Sequence, residues 1–391
     1  MMRRWSVLAL ALGSFVGVQA RQSTDVDPKA TLVYIGTYTT RPGTEAKGIY
    51  LFRLQSAGTE VFQNVTLVPL GLAAETTNPS HFEIDAGRRL LFTVNEIAQF
   101  EGKQTGAVSA FAIDQAGKLT LVNQRASMGA RPCQLVLDKD SRNVVVANCD
   151  SGTLAVLPVA ADGRLGEAKV EGTRANTNNV ALCVALDPAG RFAFACDSSS
   201  DKIRGYSFDA SAGKLAPLTA STSLKAGASP SQMLFRQDGR FAYVLNEKAS
   251  SVTVFSYDAA SGALAEVQTA STLPEYFDGA NTAGELHIHR TGKWLYASNI
   301  GHNSVVLFTI DPEKGTLSFI EEQGTGGKHP RHFGIEPSSK HLAISNTDSD
   351  TVLASRIDDG NGRLKPSGIF ASLPSPASVR FLPPANVPAD K

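Results

Sequence analysis

The sequence has little of several features that would point to particular classes of protein. Lysine plus arginine and aspartate plus glutamate are equal at 37 each, so no net charge favours nucleic acid or an anionic membrane. Long helical patterns are scarce, whereas glycine is abundant at 34 of 391 residues. Beyond the first twenty residues, no apolar run approaches the length of a membrane span. We therefore expect an all-β globular chain with many turns, with no nucleic-acid partner and no membrane span after processing.

Familiar catalytic and metal-binding motifs are also missing. No G-x-S-x-G elbow is present, and no Ser-His-Asp order stands out. The cysteines show no C-x-x-C spacing, which disfavours a zinc site. His287 and His289 form an isolated H-x-H on a predicted strand, where packing or hydrogen bonding is the more common role and a metal pair is the less favoured alternative. We expect neither a metal nor a cofactor.

Cysteine is limited to four residues, Cys133, Cys149, Cys183 and Cys196. Each sequential pair brackets a predicted tight turn, so adjacent antiparallel strands could bring either pair into disulfide range. Buried free thiols are an equally open alternative.

The first twenty residues, MMRRWSVLALALGSFVGVQA, differ from the rest of the chain. A basic start, a short apolar run and a small-residue site at Val18-Gln19-Ala20 are the three parts of a secretory signal peptide. A retained N-terminal anchor is the alternative. We expect an exported protein, periplasmic or extracellular, that is soluble once residues 1–20 are removed.

A repeat runs through the remaining chain, as in NPSHFEIDAGRRLLFTVNE and HPRHFGIEPSSKHLAISN. The aligned first positions recur roughly every 46 to 53 residues, which is typical of a propeller or solenoid. Prolines that open the rows are followed at a constant interval by asparagines: Pro79 by Asn95, Pro132 by Asn148, Pro230 by Asn246, and Pro330 by Asn346. Between these markers lie two short apolar runs around a turn, and a second hairpin follows each asparagine. Each row thus supplies four antiparallel strands.

The last row, PSPASVRFLPP, contains only one strand, and the N-terminal segment contains the other three. TLVYIGTYTT matches a second strand, and KGIYLFRLQSAGTEVFQNV matches the second hairpin. The sequence therefore predicts a seven-bladed β-propeller over residues 31–384 whose two termini share one blade. A flexible segment, 21–30, would precede it and a tail, 385–391, would follow. A pair of β-sandwiches is the alternative fold.

Strand order predicts that one channel mouth collects two rings of residues. The first ring follows the aligned prolines and comprises Ser80, Cys133, Leu182, Ser231, Gly284, Arg331 and Ala377. The second ring follows the asparagines and comprises Tyr38, Glu96, Cys149, Ser198, Glu247, Ile300 and Thr347. Arg331, Glu96 and Glu247 are the charged members, and His81, His329 and His332 lie near the same mouth. Such a mouth is the default place for a site, although a solvated ion pair on a rim is the alternative.

Several of these segments resemble one family. YIGTYTT with KGIYLF, NPSHFEID with LFTVNE, LPEYFDGANTAGELHI and HPRHFGIEPSSK are similar to the lactonase-type seven-bladed propellers. That family includes the 6-phosphogluconolactonases of this fold and the related fungal muconate-lactonising cyclases. The resemblance covers nearly the whole mature chain and implies hydrolysis of a cyclic ester.

The resemblance also implies site residues, with two departures from the family. The family's glutamate falls on Glu247 and its second arginine on Arg331. The first arginine of the family is Ser231 here, and its histidine is Leu182. Without these two groups, a doubly charged phosphate loses a principal clamp, so a 6-phospho substrate is the least supported part of the resemblance.

Lactone hydrolysis needs an activated water and a stabilised oxyanion. We expect Glu247 to act as general base, Arg331 to hold the oxyanion or a substrate anion, and His287 or His332 to protonate the leaving alkoxide. The catalytic set is therefore Glu247, Arg331 and His287. The expected substrate-binding set is His332, His81, Glu96, Ser231, Gln134 and Glu285.

Two functional hypotheses follow. The first is an exported, monomeric hydrolase that opens a lactone of a sugar acid or a similar small carboxylated molecule. The alternative is a catalytically reduced propeller that binds a carbohydrate or a partner protein at the same mouth.

Overall fold

The computed structural model describes residues 30–59, 62–172 and 182–384. The predicted signal peptide, the C-terminal tail and all but the last residue of segment 21–30 lie outside the described residues. In the described part, the only helix is a short 3-10 turn, Thr347–Ser349, and no helix there is long and apolar enough to cross a membrane. The rest of the regular structure is strand, arranged as seven antiparallel sheets of four strands.

Each sheet is one blade of the propeller, and its strands are numbered in chain order. The innermost strands are β4 (Pro79–Asp85), β8 (Pro132–Leu137), β12 (Leu182–Leu186), β16 (Pro230–Phe235), β20 (Thr282–Ile288), β24 (Pro330–Ile335) and β28 (Pro376–Leu382). The second strands are β1 (Leu32–Thr37), β5 (Leu90–Asn95), β9 (Asn143–Asn148), β13 (Phe192–Asp197), β17 (Phe241–Asn246), β21 (Trp294–Ile300) and β25 (His341–Asn346). The third strands are β2 (Gly48–Thr59), β6 (Ala107–Ile113), β10 (Thr153–Pro158), β14 (Lys202–Asp209), β18 (Ser251–Asp258), β22 (Ser304–Ile310) and β26 (Thr351–Ile357). The outer strands are β3 (Phe62–Glu75), β7 (Leu119–Ala126), β11 (Lys169–Gly172), β15 (Lys214–Ser223), β19 (Ala263–Ser271), β23 (Leu317–Gly324) and β27 (Leu364–Ser372).

The two ends of the chain close the ring within one blade, in the strand order β28-β1-β2-β3. The C-terminal strand is innermost and pairs with β1, with Leu32 opposite Leu382 and Tyr34 opposite Arg380. Each innermost strand also contacts the innermost strands of both neighbouring blades, so the seven form a closed ring around the channel. The predicted seven-bladed propeller is confirmed, and the β-sandwich alternative is wrong.

The core lies between the blades rather than inside any one of them. All six residues of β5, β9 and β17 are buried, because each blade is covered by a neighbour on both faces. One interblade cluster, for example, packs Tyr34 and Ile49 against Phe82, Leu91 and Phe111 of the next blade. Tyrosines at equivalent positions add a polar contact: the hydroxyl of Tyr34 donates to Gly117 O at 2.7 Å, and the equivalent bonds join Tyr243 to Gly315 and Tyr296 to Gly362. These bonds satisfy buried hydroxyls and fix the angle between blades.

Two of the asparagines that mark the repeat, and Asn299 at the equivalent position of its row, hold the connections between blades. Asn148 Nδ2 donates to Ser127 O at 2.9 Å, Asn299 Nδ2 to Thr272 O at 2.8 Å, and Asn346 Nδ2 to Thr325 O at 3.2 Å. Each carbonyl lies just beyond the outer strand of the preceding blade. The constant asparagine is therefore a structural residue, and the residue after it is the one presented at the mouth.

Replacement of Asn299 by alanine is expected to destabilise the protein by about 2–3 kcal/mol, because it leaves buried polar groups without a hydrogen-bond partner. Its Oδ1 accepts from Thr272 Oγ1 at 2.7 Å and from Asn281 Nδ2 at 3.1 Å. Denaturant unfolding measures the loss. Asn361→Ala, in an exposed turn, is the matched control and should cost less than about 1 kcal/mol. Equal losses in both variants would contradict the structural role of the marker.

Both sequential cysteine pairs are joined. Cys133 is bonded to Cys149 with the Cα atoms 5.8 Å apart, and Cys183 to Cys196 with the Cα atoms 4.9 Å apart. Cys183 and Cys196 lie directly opposite each other on β12 and β13. The sequence left disulfides and free thiols equally open, and the structure has both disulfides. The first of these disulfides links the two rings at the mouth.

Candidate active site

Left-handed corners build the channel mouth. The residue before each innermost-strand proline has a positive φ of 43 to 60° at Asn78, Arg131, Ser229, His329 and Ser375. The carbonyl oxygen of each corner accepts the N–H of a second-ring residue in the same blade: Glu96, Cys149, Glu247, Thr347 and Tyr38, respectively, at 2.9–3.0 Å. The corner thus fixes where the second ring sits relative to the first, and both rings face one mouth.

Arg331 occupies this mouth with its guanidinium unpaired in the described part of the chain. Its Nε is buried without a hydrogen-bond partner there, and no carboxylate comes within ion-pair distance of its nitrogens. The guanidinium lies 5.4 Å above the ring of Tyr38. Tyr38 raises the pKa of Arg331, burial opposes the rise, and Glu96 and Glu247 reinforce it. A charged, half-buried and unpaired guanidinium is a binding site for an anion or a developing negative charge.

Glu247 follows β17 and presents a free carboxylate at the same mouth. Its backbone is fixed, since its N–H donates to Ser229 O and its C=O accepts from Ala283 N, both at 2.9 Å. Its side chain has no hydrogen-bond partner among residues 30–59, 62–172 and 182–384. Burial raises the pKa of Glu247, while Arg331 and Lys248 oppose the rise. A carboxylate with a raised pKa and free oxygens suits a general base.

Glu96 is the second carboxylate of the mouth, and each of its oxygens accepts one hydrogen bond. Its Oε1 accepts from Arg131 at 2.7 Å, and its Oε2 accepts from the Tyr38 hydroxyl at 3.1 Å. Burial acts to raise the pKa of Glu96, but Arg331 and Arg131 outweigh it and hold the pKa below its usual value. The environments of Glu96 and Glu247 therefore shift the two pKa values in opposite directions, which assigns them different roles.

Glu285 lies deeper in the channel than the two rings of the mouth, between two histidines. Its carboxylate oxygens are 2.6 Å from His332 Nδ1 and 3.2 Å from His287 Nε2, distances of ion pairs without the alignment of hydrogen bonds. Gln232 Nε2 donates to the same carboxylate at 3.1 Å. Against the effect of burial, His332 and His287 hold the pKa of Glu285 well below its usual value. Burial lowers the pKa of His332, although Glu285 opposes this shift.

The structure separates the two histidines in depth. His332 is in the next pair after the one that joins Pro330 to Asn346, whereas His287 is paired with Tyr296, two pairs beyond the one that contains Asn299. The ring of His287 also packs edge-on against Phe333, with centroids 4.8 Å apart. His332 is therefore the nearer of the two to Arg331 along the channel.

His81 also lies in the channel and is surrounded by donors. Arg380 donates to its Nε2 at 3.1 Å, and Leu135 N faces its Nδ1 at 3.5 Å. Burial, Arg380 and His332 together hold the pKa of His81 well below its usual value. Arg380 also donates to Glu83 at 3.1 Å. His81 is thus a neutral residue of the channel wall.

Arg380 and Glu83 are channel residues that the sequence analysis missed. Both stand at the fourth position after their aligned prolines, which is the row position that His287 occupies. Extending the rings to that deeper position would have found them. Arg131 was also missed, because it belongs to the corner before the proline rather than to a ring.

The remaining predicted residues lie in the blade contacts or at the rim. Gln134 Oε1 accepts Val184 N of the next blade at 2.8 Å, and Gln232 repeats this contact with Leu286 N at 2.6 Å. Ser231 is in the first ring, where its hydroxyl donates to Leu245 O at 3.4 Å. His329 pairs with Asp348 at 3.1 Å on the rim.

His289 and His287 do not share a site. His289 lies at the far end of its strand, where its ring nitrogens contact Ser339 O at 3.0 Å and Thr291 Oγ1 at 2.8 Å. In the described ranges, no group of three or more histidine, cysteine, aspartate or glutamate side chains is arranged to hold a metal ion.

A cavity of about 360 Å³ opens at the mouth beside Tyr38, the residue whose ring lies under the Arg331 guanidinium. Its polar lining is Tyr38, Thr40, Asn78, Glu96 and Arg131, and Ile97 and Ala98 supply the apolar part. Tyr38 belongs to both places, because its ring lies under the Arg331 guanidinium and its hydroxyl bonds to Glu96. The mouth therefore combines an unpaired cation, a free carboxylate and an adjoining polar cavity.

Comparisons with known proteins match the chain over its whole propeller. The family described as "Lactonase, 7-bladed beta-propeller" matches residues 32–381. The chain is 29% identical over 357 residues to a 6-phosphogluconolactonase of Bacillus subtilis (strain 168), covering 89% of this chain and 97% of that protein. A solved periplasmic gluconolactonase of Pseudomonas aeruginosa is similar at a TM-score of 0.80 and 29% identity, covering 90% of this chain and 99% of that one. A putative 6-phosphogluconolactonase of Bacteroides fragilis is similar at a TM-score of 0.77 and 30% identity, with 90% and 98% covered.

Proposed function

Because the chain belongs to the seven-bladed β-propeller lactonase family, we propose that it hydrolyses a lactone of a sugar acid at the mouth formed by Arg331 and Glu247. The observation that carries the proposal is that a free cation and a free carboxylate lie at the same channel mouth. Arg331 is a half-buried cation without a hydrogen-bond or ion-pair partner in the described part, and Glu247 is a carboxylate with a raised pKa and free oxygens. The names of the Bacillus subtilis and Pseudomonas aeruginosa relatives, both lactonases, support the same reaction class.

The first step is the addition of water to the lactone carbonyl. Glu247 removes a proton from water, and the oxygen of that water bonds to the carbonyl carbon. The electron pair of the C=O double bond moves to the carbonyl oxygen, which becomes an oxyanion. Arg331 hydrogen-bonds to this oxygen, and its fixed positive charge stabilises the oxyanion more than the neutral ester.

The second step breaks the ring. The oxyanion re-forms the C=O bond, the ring C–O bond breaks, and the leaving alkoxide takes a proton. We assign this proton to the histidines that share Glu285, with His332 nearer the mouth and His287 behind it. The Glu285 carboxylate favours the imidazolium form of His332, against the effect of burial on its pKa. The product acid then ionises, Glu247 releases the proton that it took from water, and the histidine takes up a proton again. Each turnover therefore consumes one water and releases one hydroxycarboxylate and one proton.

Export is part of the proposal. The signal-like residues 1–20, the two disulfides and the similarity to a periplasmic gluconolactonase all support an oxidising compartment outside the cytoplasm. A cell-fractionation experiment with the full chain tests this point. Recovery of the protein in the cytosol with reduced cysteines would contradict it.

Proton release measured by pH-stat, at constant slightly acidic pH, tests the activity on a panel of five- and six-membered lactones. The purified mature protein should accelerate hydrolysis of at least one polyhydroxylated lactone above the uncatalysed rate. Binding of a lactone or sugar acid without turnover would overturn the proposal and favour the alternative of a catalytically reduced binding propeller.

A further inference from the structure

We propose that the cavity beside Tyr38 is a subsite for the uncharged, polyhydroxylated tail of the lactone, with Arg131 and Glu96 as its specificity-determining residues. This inference rests on the proposed lactonase function and adds a class of substrate to it: sugar lactones without a phosphate on the tail.

The position and size of the cavity fit such a tail. A volume of about 360 Å³ is within the range of small-molecule sites and is sufficient for a sugar-sized group. Tyr38 joins the cavity to the reacting end, since its ring faces the Arg331 guanidinium at 5.4 Å and its hydroxyl donates to Glu96 at 3.1 Å. A lactone whose carbonyl oxygen lies on Arg331 therefore has room to extend its hydroxylated carbons past Tyr38.

Arg131 and Glu96 offer the groups that recognise hydroxyls. The guanidinium of Arg131 donates to Glu96 Oε1 at 2.7 Å and lies 3.6 Å from Asp150 Oδ1, yet 51% of its side chain is exposed. Its remaining N–H groups can donate to a ligand, while the carboxylate of Glu96 retains lone pairs that can accept. The paired guanidinium and carboxylate place donors and acceptors next to each other, which suits neighbouring hydroxyls.

The cavity wall is rigid before any ligand arrives. Asn78 Oδ1 accepts from Thr39 N at 2.8 Å and Thr40 N at 3.1 Å, and its Nδ2 donates to Glu96 O at 3.1 Å. Arg131 itself has a left-handed φ of 49°, a conformation that is uncommon for a long side chain, and its N–H donates to Ile97 O at 3.0 Å. Fixed polar groups lose little entropy on binding and therefore give selectivity.

Charge in the cavity selects against a phosphate. The pKa of Glu96 is held below its usual value by Arg331 and Arg131 despite burial, so its carboxylate is ionised at neutral pH. The positive charge of Arg131 is already paired with the carboxylate of Glu96 at 2.7 Å, and the carboxylate of Asp150 lies 3.6 Å away. A phosphorylated tail would bring negative charge against these carboxylates, whereas a hydroxyl tail meets donors and acceptors of either kind.

The first test compares glucono-δ-lactone with δ-valerolactone, which has the same ring without hydroxyls. In Arg131→Met, the ratio of kcat/KM for glucono-δ-lactone to that for δ-valerolactone should fall about tenfold to a hundredfold, since hydrogen bonds to a charged group are lost. Arg41→Met is the matched control: Arg41 is another rim arginine, paired with Asp348 at 2.9 Å and 43% exposed, and its loss should leave the ratio within about twofold. A folded Arg131→Met protein with an unchanged ratio would overturn the subsite.

The second test concerns the phosphate. In Glu96→Gln, which keeps the shape and removes the charge, kcat/KM for 6-phosphoglucono-δ-lactone relative to glucono-δ-lactone should rise about tenfold or more. An unchanged or lower ratio would overturn the selection against phosphate. The proposed function fails separately, if the wild-type protein hydrolyses none of the three lactones. If it hydrolyses δ-valerolactone as well as glucono-δ-lactone, only the subsite fails.

Discussion

Replacement of Arg331 by methionine is expected to lower kcat/KM for a sugar lactone by about 10²–10³-fold, the usual effect of removing one oxyanion donor. The half-buried guanidinium of Arg331 has no hydrogen-bond or ion-pair partner in the described ranges, so its N–H groups are free to bind the oxyanion. Steady-state kinetics on glucono-δ-lactone, with the uncatalysed rate subtracted, measures the loss.

Two further observations separate this catalytic role from a structural one. Because Arg331 makes no side-chain hydrogen bond to the described residues, Arg331→Met should fold and unfold at a denaturant concentration no lower than the wild type. Arg331→Lys keeps the charge but loses the planar fork, so it should recover part of kcat. Full activity in Arg331→Met would show that the oxyanion is held elsewhere.

Replacement of Glu247 by glutamine is expected to lower kcat by about 10²–10⁴-fold, because glutamine cannot accept a proton from water. The pH profile provides the diagnostic test. Burial raises the pKa of Glu247, so the acidic limb of log kcat/KM should have its midpoint above the ordinary glutamate value of about 4.3. Activity requires the carboxylate and is therefore lost as the pH falls through this raised pKa.

The same shift links the activity to stability and to Arg331. Because the pKa of Glu247 is higher in the folded than in the unfolded protein, its protonated form contributes to the free energy of unfolding. This contribution is present at low pH and is lost as the pH rises through the folded pKa. Glu247→Gln should therefore be at least as stable as the wild type at neutral pH. Because Arg331 opposes the rise, the residual activity of Arg331→Met should have its acidic limb at higher pH. An acidic limb at or below the ordinary glutamate value would contradict the assignment of the base.

Sequence periodicity was sufficient to predict the propeller, because every blade is built from the same four-stranded unit. The interval from Pro330 to Asn346 is the same as that from Pro79 to Asn95, and in both blades the two markers are paired across the first two strands. Register then places Arg331, Glu96 and Glu247 at one mouth. The split last row predicted the pairing of β28 with β1 for the same reason.

The chemistry of individual side chains was less predictable, because it depends on contacts between blades. Gln134 and Gln232 have equivalent row positions, and only the structure shows that each reaches a backbone N–H of the next blade. Nothing in the row that contains His287 indicates that Glu285 lies between it and a histidine of the following blade. Arg131 belongs to a corner whose left-handed conformation depends on hydrogen bonds to Ile97 and Cys149, residues far from it along the chain.

A crystal structure of Glu247→Gln with glucono-δ-lactone bound tests the position of the active site most directly. We expect the lactone carbonyl oxygen at about 2.7–3.1 Å from the Arg331 guanidinium, a water between the carbonyl carbon and residue 247, and the ring hydroxyls against Arg131 and Glu96. A lactone bound at the opposite end of the channel, or on the outer strands with Arg331 left unpaired, would contradict the claim that this mouth is the active site.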